Sequence, residues 1–142
     1  MRFQDRTIVI TGAASGIGRA TVERALAEGA AIVAVDRDAD ALDALAQAAG
    51  SELLTTLAGD VADTSLATEG MKRAADFQRP IKGLVTAAGI SSSGTPLADT
   101  EDAHEDGLSR VTVRGRWAVV KGALPALVCA ARGSTASLVS VS

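Results

Sequence analysis

A glycine-rich turn near the N-terminus constrains the fold of this chain more than any other feature. The strand-forming residues Thr7 to Thr11 are followed by a turn, Gly12-Ala13-Ala14-Ser15-Gly16-Ile17-Gly18, and then by a helical pattern. Gly12 permits a tight turn, Gly16 lets the backbone approach a ligand, and Gly18 lets the helix pack on the strand. The free N–H groups at the start of such a helix attract an anion. The segment therefore predicts a strand–turn–helix unit that holds phosphate.

Short apolar strands alternate with amphipathic helices along the rest of the chain. Further strands are predicted at 31–35, 53–57, 83–87 and 136–141. Asp38 and Asp63 are expected to cap two of the intervening helices, and a long helix from about Thr100 is expected to be kinked or ended by Pro125. Strands that alternate with helices indicate an α/β fold, a doubly wound parallel sheet covered by helices on both faces.

An acidic residue at the end of the second strand indicates which ligand the glycine-rich turn binds. Asp36 ends that strand and lies 24 residues after Gly12, about where a carboxylate binds the ribose of a dinucleotide. The alternative is a turn that merely reverses the chain direction. A strand before the turn, a helix after it and the acid at this spacing favour the nucleotide interpretation.

Composition excludes several other classes of protein. The 142 residues carry a net charge of -3, without the excess of Lys and Arg that a nucleic-acid surface requires. The lone Cys129 excludes a disulfide framework and a cysteine metal cluster, and no metal site is expected. No apolar run is long enough for a membrane span or a secretory signal, so a cytoplasmic location is expected. His104 is expected to be solvated, and Cys129 to be packed as a small apolar side chain.

Four further segments agree with one known family. Asp60-Val61 follows the third strand, Ala88-Gly89-Ile90 follows the fourth, and two more segments are Val111–Gly115 and Ser137–Ser142. Together with the spacing Gly-x-x-x-Gly-x-Gly, they resemble the classical subgroup of the short-chain dehydrogenase/reductase family. The resemblance spans essentially all 142 residues. It implies a single, incomplete NAD(P)-binding domain over 1–142, a three-layer Rossmann-type fold that lacks its last strands.

The resemblance also implies which residues bind the cofactor. These are Gly12, Ser15, Gly16, Ile17, Gly18, Asp36, Arg37, Asp60, Val61, Ala88 and Gly89. Asp36 would repel a 2′-phosphate, and Ser15 stands where members that prefer NADP often carry a basic residue. Arg37 could instead bind a 2′-phosphate, or be a solvated loop arginine. NAD is therefore expected in preference to NADP.

The chain departs from the family pattern where catalysis is concerned. The family uses a serine, a Tyr-x-x-x-Lys pair and an asparagine, but this sequence has no tyrosine, and its lysines, Lys72, Lys82 and Lys121, precede the expected position. Thr112 stands at the asparagine position, and Thr86-Ala87 replaces an Asn-Asn pair. The catalytic serine would follow Ser142, so no catalytic residue is assigned. The chain alone is expected to lack hydride-transfer activity.

Two functional hypotheses follow from this pattern. The first is the cofactor-binding half of an oxidoreductase that interconverts an alcohol and a ketone on a small molecule, with a homodimer or homotetramer expected for the complete protein. The second is a truncated, inactive remnant or a nucleotide-binding module. The sequence also predicts self-association, because the fifth strand and the helix face around Trp117, Val119 and Val120 would lack cover. The loop Ser91–Ser93 is expected near a substrate cleft.

Overall fold

The computed structural model describes residues 1–90 and 94–130 and the strand backbone of 137–140. Strands and helices alternate along these residues. In chain order they are β1 (Thr7–Thr11), α1 (Gly16–Ala27), β2 (Ala31–Asp36), α2 (Ala39–Ala49), β3 (Leu54–Ala58), α3 (Thr64–Asp76), β4 (Ile81–Thr86), a 3-10 turn (Leu97–Asp99), α4 (Asp102–Ser109), a π-helical turn (Arg110–Gly115), α5 (Arg116–Ala130) and β5 (Ser137–Ser140).

The strands of the described residues form one parallel sheet in the order β3-β2-β1-β4-β5. The chain adds β2 and β3 on one side of β1 and then returns to add β4 on the other side. The carboxyl ends of β1 and β4 thus flank the point where the order reverses, which is where sheets of this kind bind ligands. The predicted doubly wound parallel sheet is confirmed.

The two faces of the sheet are buried by different helices. Val9, Val33 and Leu84 belong to a core that includes Val119 and Leu127 of α5. Their neighbours along the strands point the other way because side chains alternate in a strand. Those neighbours pack with α1 and α2, in a core that contains Ile8, Ile10, Ile32, Val22, Leu42 and Leu45. Three layers result, as predicted.

Local hydrogen bonds define the ends of α2 and α3. The carboxylate of Asp38 accepts a hydrogen bond from the Ala41 N–H at 3.0 Å, and that of Asp63 accepts one from the Ser65 N–H at 2.9 Å. Gly50 ends α2 in the left-handed conformation, with φ of +51°. Both predicted N-caps are confirmed, and caps of this kind contribute about 1 kcal/mol each.

The long helix differs from the prediction in two ways. It begins at Asp102 and is interrupted by the π-helical turn, which the sequence pattern did not indicate. Of the two outcomes predicted at Pro125, a helix end is wrong, since Pro125 lies inside α5 and the helix continues to Ala130, and a kink stays a prediction. Pro125 is exposed, while Ala123 and Leu127 on either side are buried against the sheet. Packing of this buried stripe therefore holds the helix together across the hydrogen bond that proline removes.

Three further expectations about exposure are wrong. Val119 is only 4% exposed because it packs in the sheet core, although Trp117 is exposed as expected. Cys129 is exposed on the last turn of α5 instead of packed. His104 is half-buried, and its Nε2 has no hydrogen-bond partner within the described part of the chain.

Some predictions concern the edge of the sheet or residues without a described position. β5 pairs with β4 and stands at one edge of the described sheet, which agrees with the expected edge strand. Ser91–Ser93, Ala136, Val141 and Ser142 lie outside the described residues. Self-association through this edge stays a prediction.

Candidate nucleotide-binding site

The glycine-rich turn packs directly on the backbone that leaves β4. A Cβ atom on Gly12 would lie 2.6 Å from both the carbonyl carbon of Ala87 and the nitrogen of Ala88. Gly12 also has φ of +67°, a conformation that other residues adopt at a cost. On the other side of the turn, a Cβ atom on Gly18 would lie 1.9 Å from the Gly12 carbonyl oxygen. Side chains are therefore excluded at both positions by the backbone itself.

The third glycine of the turn faces open space. Gly16 has φ of +49°, and a Cβ atom placed there would meet nothing within 4 Å. Ser15 is the N-cap residue of α1, but its side chain makes no capping hydrogen bond. The side chain of Ile17, in the first turn of α1, is 60% exposed. The positive end of the helix dipole is thus left open to an anion at the carboxyl end of the sheet.

Asp36 lies beside this turn, as its spacing predicts. One oxygen of its carboxylate accepts a hydrogen bond from the Ala14 N–H at 3.0 Å, and the other accepts one from the Asp38 N–H at 3.1 Å. The side chain thereby connects the turn after β1 with the turn after β2. Each carboxylate oxygen can accept a second hydrogen bond, so acceptor positions remain for ribose hydroxyls. The adjacent Arg37 is exposed.

The residues after β4 contact the end of β1. The Ala87 N–H donates to the Thr11 carbonyl oxygen at 3.2 Å, and the Ala88 N–H lies 3.4 Å from the Thr11 hydroxyl. Thr86, which replaces the first asparagine of the family pair, is buried. Gly89 is exposed and has free space around it. Ala88 and Gly89 therefore border the same crevice as the glycine-rich turn.

The residues after β3 contact the π-helical turn. One carboxylate oxygen of Asp60 accepts a hydrogen bond from the Ala62 N–H at 2.9 Å, and the other lies 2.7 Å from Nη2 of Arg110. Val61 is buried, and its Cγ2 would lie 2.6 Å from a Cβ on Gly115. Sequence reasoning assigned Asp60 and Val61 to the site but missed Arg110, since no local pattern links residues so distant in the chain.

Asp63 is the titratable group next to this site whose pKa is displaced. The hydrogen bond that its carboxylate accepts from the Ser65 backbone N–H lowers the pKa of Asp63 below its usual value. The charged form that results is the one a helix N-terminus favours. This carboxylate therefore serves α3 as a cap, and it is not protonated for acid catalysis near neutral pH.

An apolar cavity of about 600 Å³ lies on the sheet face that α1 covers, and Ile17 at the start of α1 is part of its wall. Its walls include Phe3, Ile8, Ala20, Thr21, Lys82 and Val85. Gly83 and Val85 of β4 are only half-buried, because α1 covers β1 more completely than β4. The expected uncovered face of the long helix is also present, since Trp117, Leu124 and Val128 of α5 are exposed, so apolar surface lacks cover on both faces of the sheet.

The described residues contain neither a cluster of metal-ligating side chains nor a helix of membrane-spanning length. Across residues 1–90 and 94–130 no three His, Cys, Asp or Glu side chains come together in a way that could hold a metal ion. No helix in the part of the chain with described coordinates is both long and apolar enough to cross a membrane.

Comparisons with known proteins identify the family. The model of the short chain dehydrogenase family matches residues 6–142. The chain is 35% identical over 144 aligned positions to cis-2,3-dihydrobiphenyl-2,3-diol dehydrogenase of Paraburkholderia xenovorans, covering 99% of this chain and 51% of that protein. The chain spans about half the length of the curated relatives it matches.

Two solved structures show the same fold. One is a short-chain dehydrogenase/reductase, a glucose/ribitol dehydrogenase, from Brucella melitensis, with 37% identity and a TM-score of 0.83 over 88% of this chain and 53% of that one. The other is a 3-ketoacyl-(acyl-carrier-protein) reductase from Brucella melitensis complexed with NADH, with 24% identity and a TM-score of 0.91 over 98% and 57%. The family match over nearly every residue, joined to the parallel sheet and its glycine-rich turn, shows that the chain belongs to the short chain dehydrogenase family.

Proposed function

We propose that this chain is the cofactor-binding half of an NAD-dependent oxidoreductase that interconverts an alcohol and a ketone. The observation that carries the proposal is the arrangement at the end of β1. The glycine-rich turn lies against the backbone after β4, the start of α1 is open, and the Asp36 carboxylate contacts the turn through the Ala14 N–H.

The residues of the crevice fit a dinucleotide. The open space at Gly16 and the uncapped start of α1 suit a pyrophosphate, which carries negative charge and needs close backbone approach. We assign the phosphates to Gly12, Ser15, Gly16, Ile17 and Gly18, the ribose to Asp36 with Arg37 beside it, the adenine to Asp60 and Val61, and the centre of the cofactor to Ala88 and Gly89. When bound, the nicotinamide ring would supply the hydride acceptor or donor.

Charge supports NAD in preference to NADP. Asp36 is held by two backbone N–H groups, so its carboxylate stays beside the ribose position, where it would accept from hydroxyls and repel a 2′-phosphate. Arg37 is exposed and makes no ion pair among the described side chains. The carboxylate therefore dominates the local charge at this position.

Catalysis is not proposed for these 142 residues by themselves. The sequence contains no tyrosine, and loss of a positioned general acid/base typically costs about 10²–10⁴-fold in rate. We therefore expect negligible turnover by these 142 residues alone. A small alcohol or ketone as substrate, a homodimer or homotetramer, and a cytoplasmic location stay predictions for the complete protein.

Nucleotide titration tests the proposal. The wild-type chain should bind NAD more tightly than NADP in calorimetry. Asp36→Asn should weaken NAD binding about 10- to 150-fold, since hydrogen bonds to charged groups contribute about 1.5–3 kcal/mol. The same change should reduce the ratio between the affinities for NAD and NADP. Asp43→Asn, which removes an exposed carboxylate of α2, is the matched control. Equal or tighter binding of NADP by the wild type would contradict the preference, and no binding of either would overturn the assignment.

A nucleotide-binding module without catalysis is the second candidate. The presence of Thr112 at the asparagine position favours it. The intact mass of the polypeptide made by its native source separates the two. A product about twice as large, carrying Tyr-x-x-x-Lys, would support the oxidoreductase, whereas a product of this length would support the module.

A further inference from the structure

The loop after β3 is attached to the π-helical turn at two points. Asp60 forms an ion pair with Arg110, the first residue of that turn, with 2.7 Å between Nη2 and Oδ2. Val61 packs against Gly115, the last residue of the turn, so closely that a Cβ atom there would lie 2.6 Å from Cγ2 of Val61. The two contacts bracket the turn. A loop assigned to the adenine is thus positioned by a helix on a distant part of the chain.

The Asp60 carboxylate is fixed from two sides. Its Oδ1 accepts from the Ala62 N–H at 2.9 Å, and its Oδ2 faces Arg110. The Asp60 side chain is 40% exposed, so packing encloses it only in part, and Arg110 adds a contact to its second oxygen. Each carboxylate oxygen can still accept another hydrogen bond, and the direction of these acceptor positions is fixed as long as the ion pair with Arg110 is intact.

We propose that Arg110 is a positioning residue for the adenine end of the cofactor. It holds the Asp60 carboxylate in the orientation that accepts a hydrogen bond from the exocyclic amino group of adenine. Arg110 need not touch the nucleotide for this role. The inference rests on the proposed function, because it requires that adenine lie beside Asp60.

The test compares two dinucleotides that differ at the adenine amino group. NAD carries this group, whereas nicotinamide hypoxanthine dinucleotide has an oxygen in its place. Calorimetric titrations of both ligands would be made with the wild-type chain, Arg110→Ala, Arg110→Lys, Asp60→Asn and the double variant. Arg114→Ala is the matched control, since Arg114 is exposed on the same turn and forms no ion pair within the described ranges.

Arg110→Ala should weaken NAD binding about two- to fivefold, the range expected for a partly exposed ion pair. Binding of the hypoxanthine dinucleotide should not change. Arg110→Lys should recover part of the loss, and the double variant should bind NAD no more weakly than Asp60→Asn, because the two residues act as one unit. Without ligand, the Ala62 amide should exchange its hydrogen faster in Arg110→Ala, while Arg114→Ala should leave all these quantities unchanged.

Two results would overturn the inference while leaving the proposed function intact. One is unchanged NAD affinity in Arg110→Ala. The other is an equal loss for both dinucleotides, which would mean that Arg110 contacts the nucleotide itself or merely stabilises the fold. Failure of the proposed function would appear earlier, as absence of NAD binding by the wild-type chain, and would overturn both.

Discussion

Replacing Gly18 with alanine should destabilise this chain, although the same replacement at most helical positions stabilises a helix. Gly18 lies in the first turn of α1, is buried, and would carry its Cβ 1.9 Å from the Gly12 carbonyl oxygen and 2.6 Å from the Gly12 carbonyl carbon. Both atoms are backbone, so no side-chain rotation relieves the contact. The turn or the helix must move.

Two opposing effects determine how much the free energy of unfolding changes in Gly18→Ala. Alanine favours helix over glycine by about 1 kcal/mol. Overpacking of a buried position costs about 1–3 kcal/mol, and more where backbone must shift. A Cβ at 1.9 Å belongs at the upper end of that range. The free energy of unfolding should therefore fall by about 1–2 kcal/mol, and NAD affinity should fall with it, because displacement of Gly12 alters the phosphate-binding turn.

Gly107→Ala is the matched control for Gly18→Ala. Gly107 is also helical, in α4, but a Cβ atom there would meet nothing within 4 Å. Alanine at this position should raise the free energy of unfolding by about 0.5–1 kcal/mol. Urea unfolding followed by circular dichroism measures both variants. The reasoning would be refuted if Gly18→Ala proved as stable as Gly107→Ala.

Two further predictions concern stability away from the crevice. The hydrogen bond with Arg2 is the main reason that the pKa of Glu28 is lowered to about 2. The ion pair should therefore stabilise the fold fully above pH 4.5, the usual pKa of the group. This contribution should disappear as the pH falls toward 2. Urea unfolding of Glu28→Gln against wild type should therefore differ most near neutral pH and converge at low pH, and a constant difference would contradict the assignment. Asp63→Ala should lower the free energy of unfolding by about 1 kcal/mol through loss of the α3 cap, whereas Asp43→Ala, on the exposed face of α2, should change it by less than about 0.5 kcal/mol.

The parts of the fold that the sequence predicts are those fixed by nearby residues. Asp38 caps α2 because the N–H three positions later lies within reach of its side chain. Gly50 ends the same helix because glycine adopts positive φ readily. The contact between Asp36 and the turn was also predictable, since the ends of adjacent parallel strands meet at one edge of the sheet.

The parts that the sequence did not predict depend on distant contacts. The ion pair between Asp60 and Arg110 joins the end of a strand to a helix, and neither segment contains a sequence pattern that predicts this contact. The half-burial of His104 likewise depends on what packs around α4. The apolar cavity beside α1 reflects how far one helix reaches across β4, which hydrophobic periodicity does not report.

The π-helical turn orients the long helix and also shapes the site. A π-helical turn bonds each N–H to the carbonyl five residues earlier, so all later residues are rotated about the axis relative to an uninterrupted α-helix. The helix after this turn presents Val119, Ala123 and Leu127 to the sheet core. The same turn presents Arg110 to Asp60. This one irregularity thus allows the long helix to pack on the core and connects it to the loop assigned to adenine. A variant that converts this turn to regular α-helix would keep one of these contacts only by losing the other.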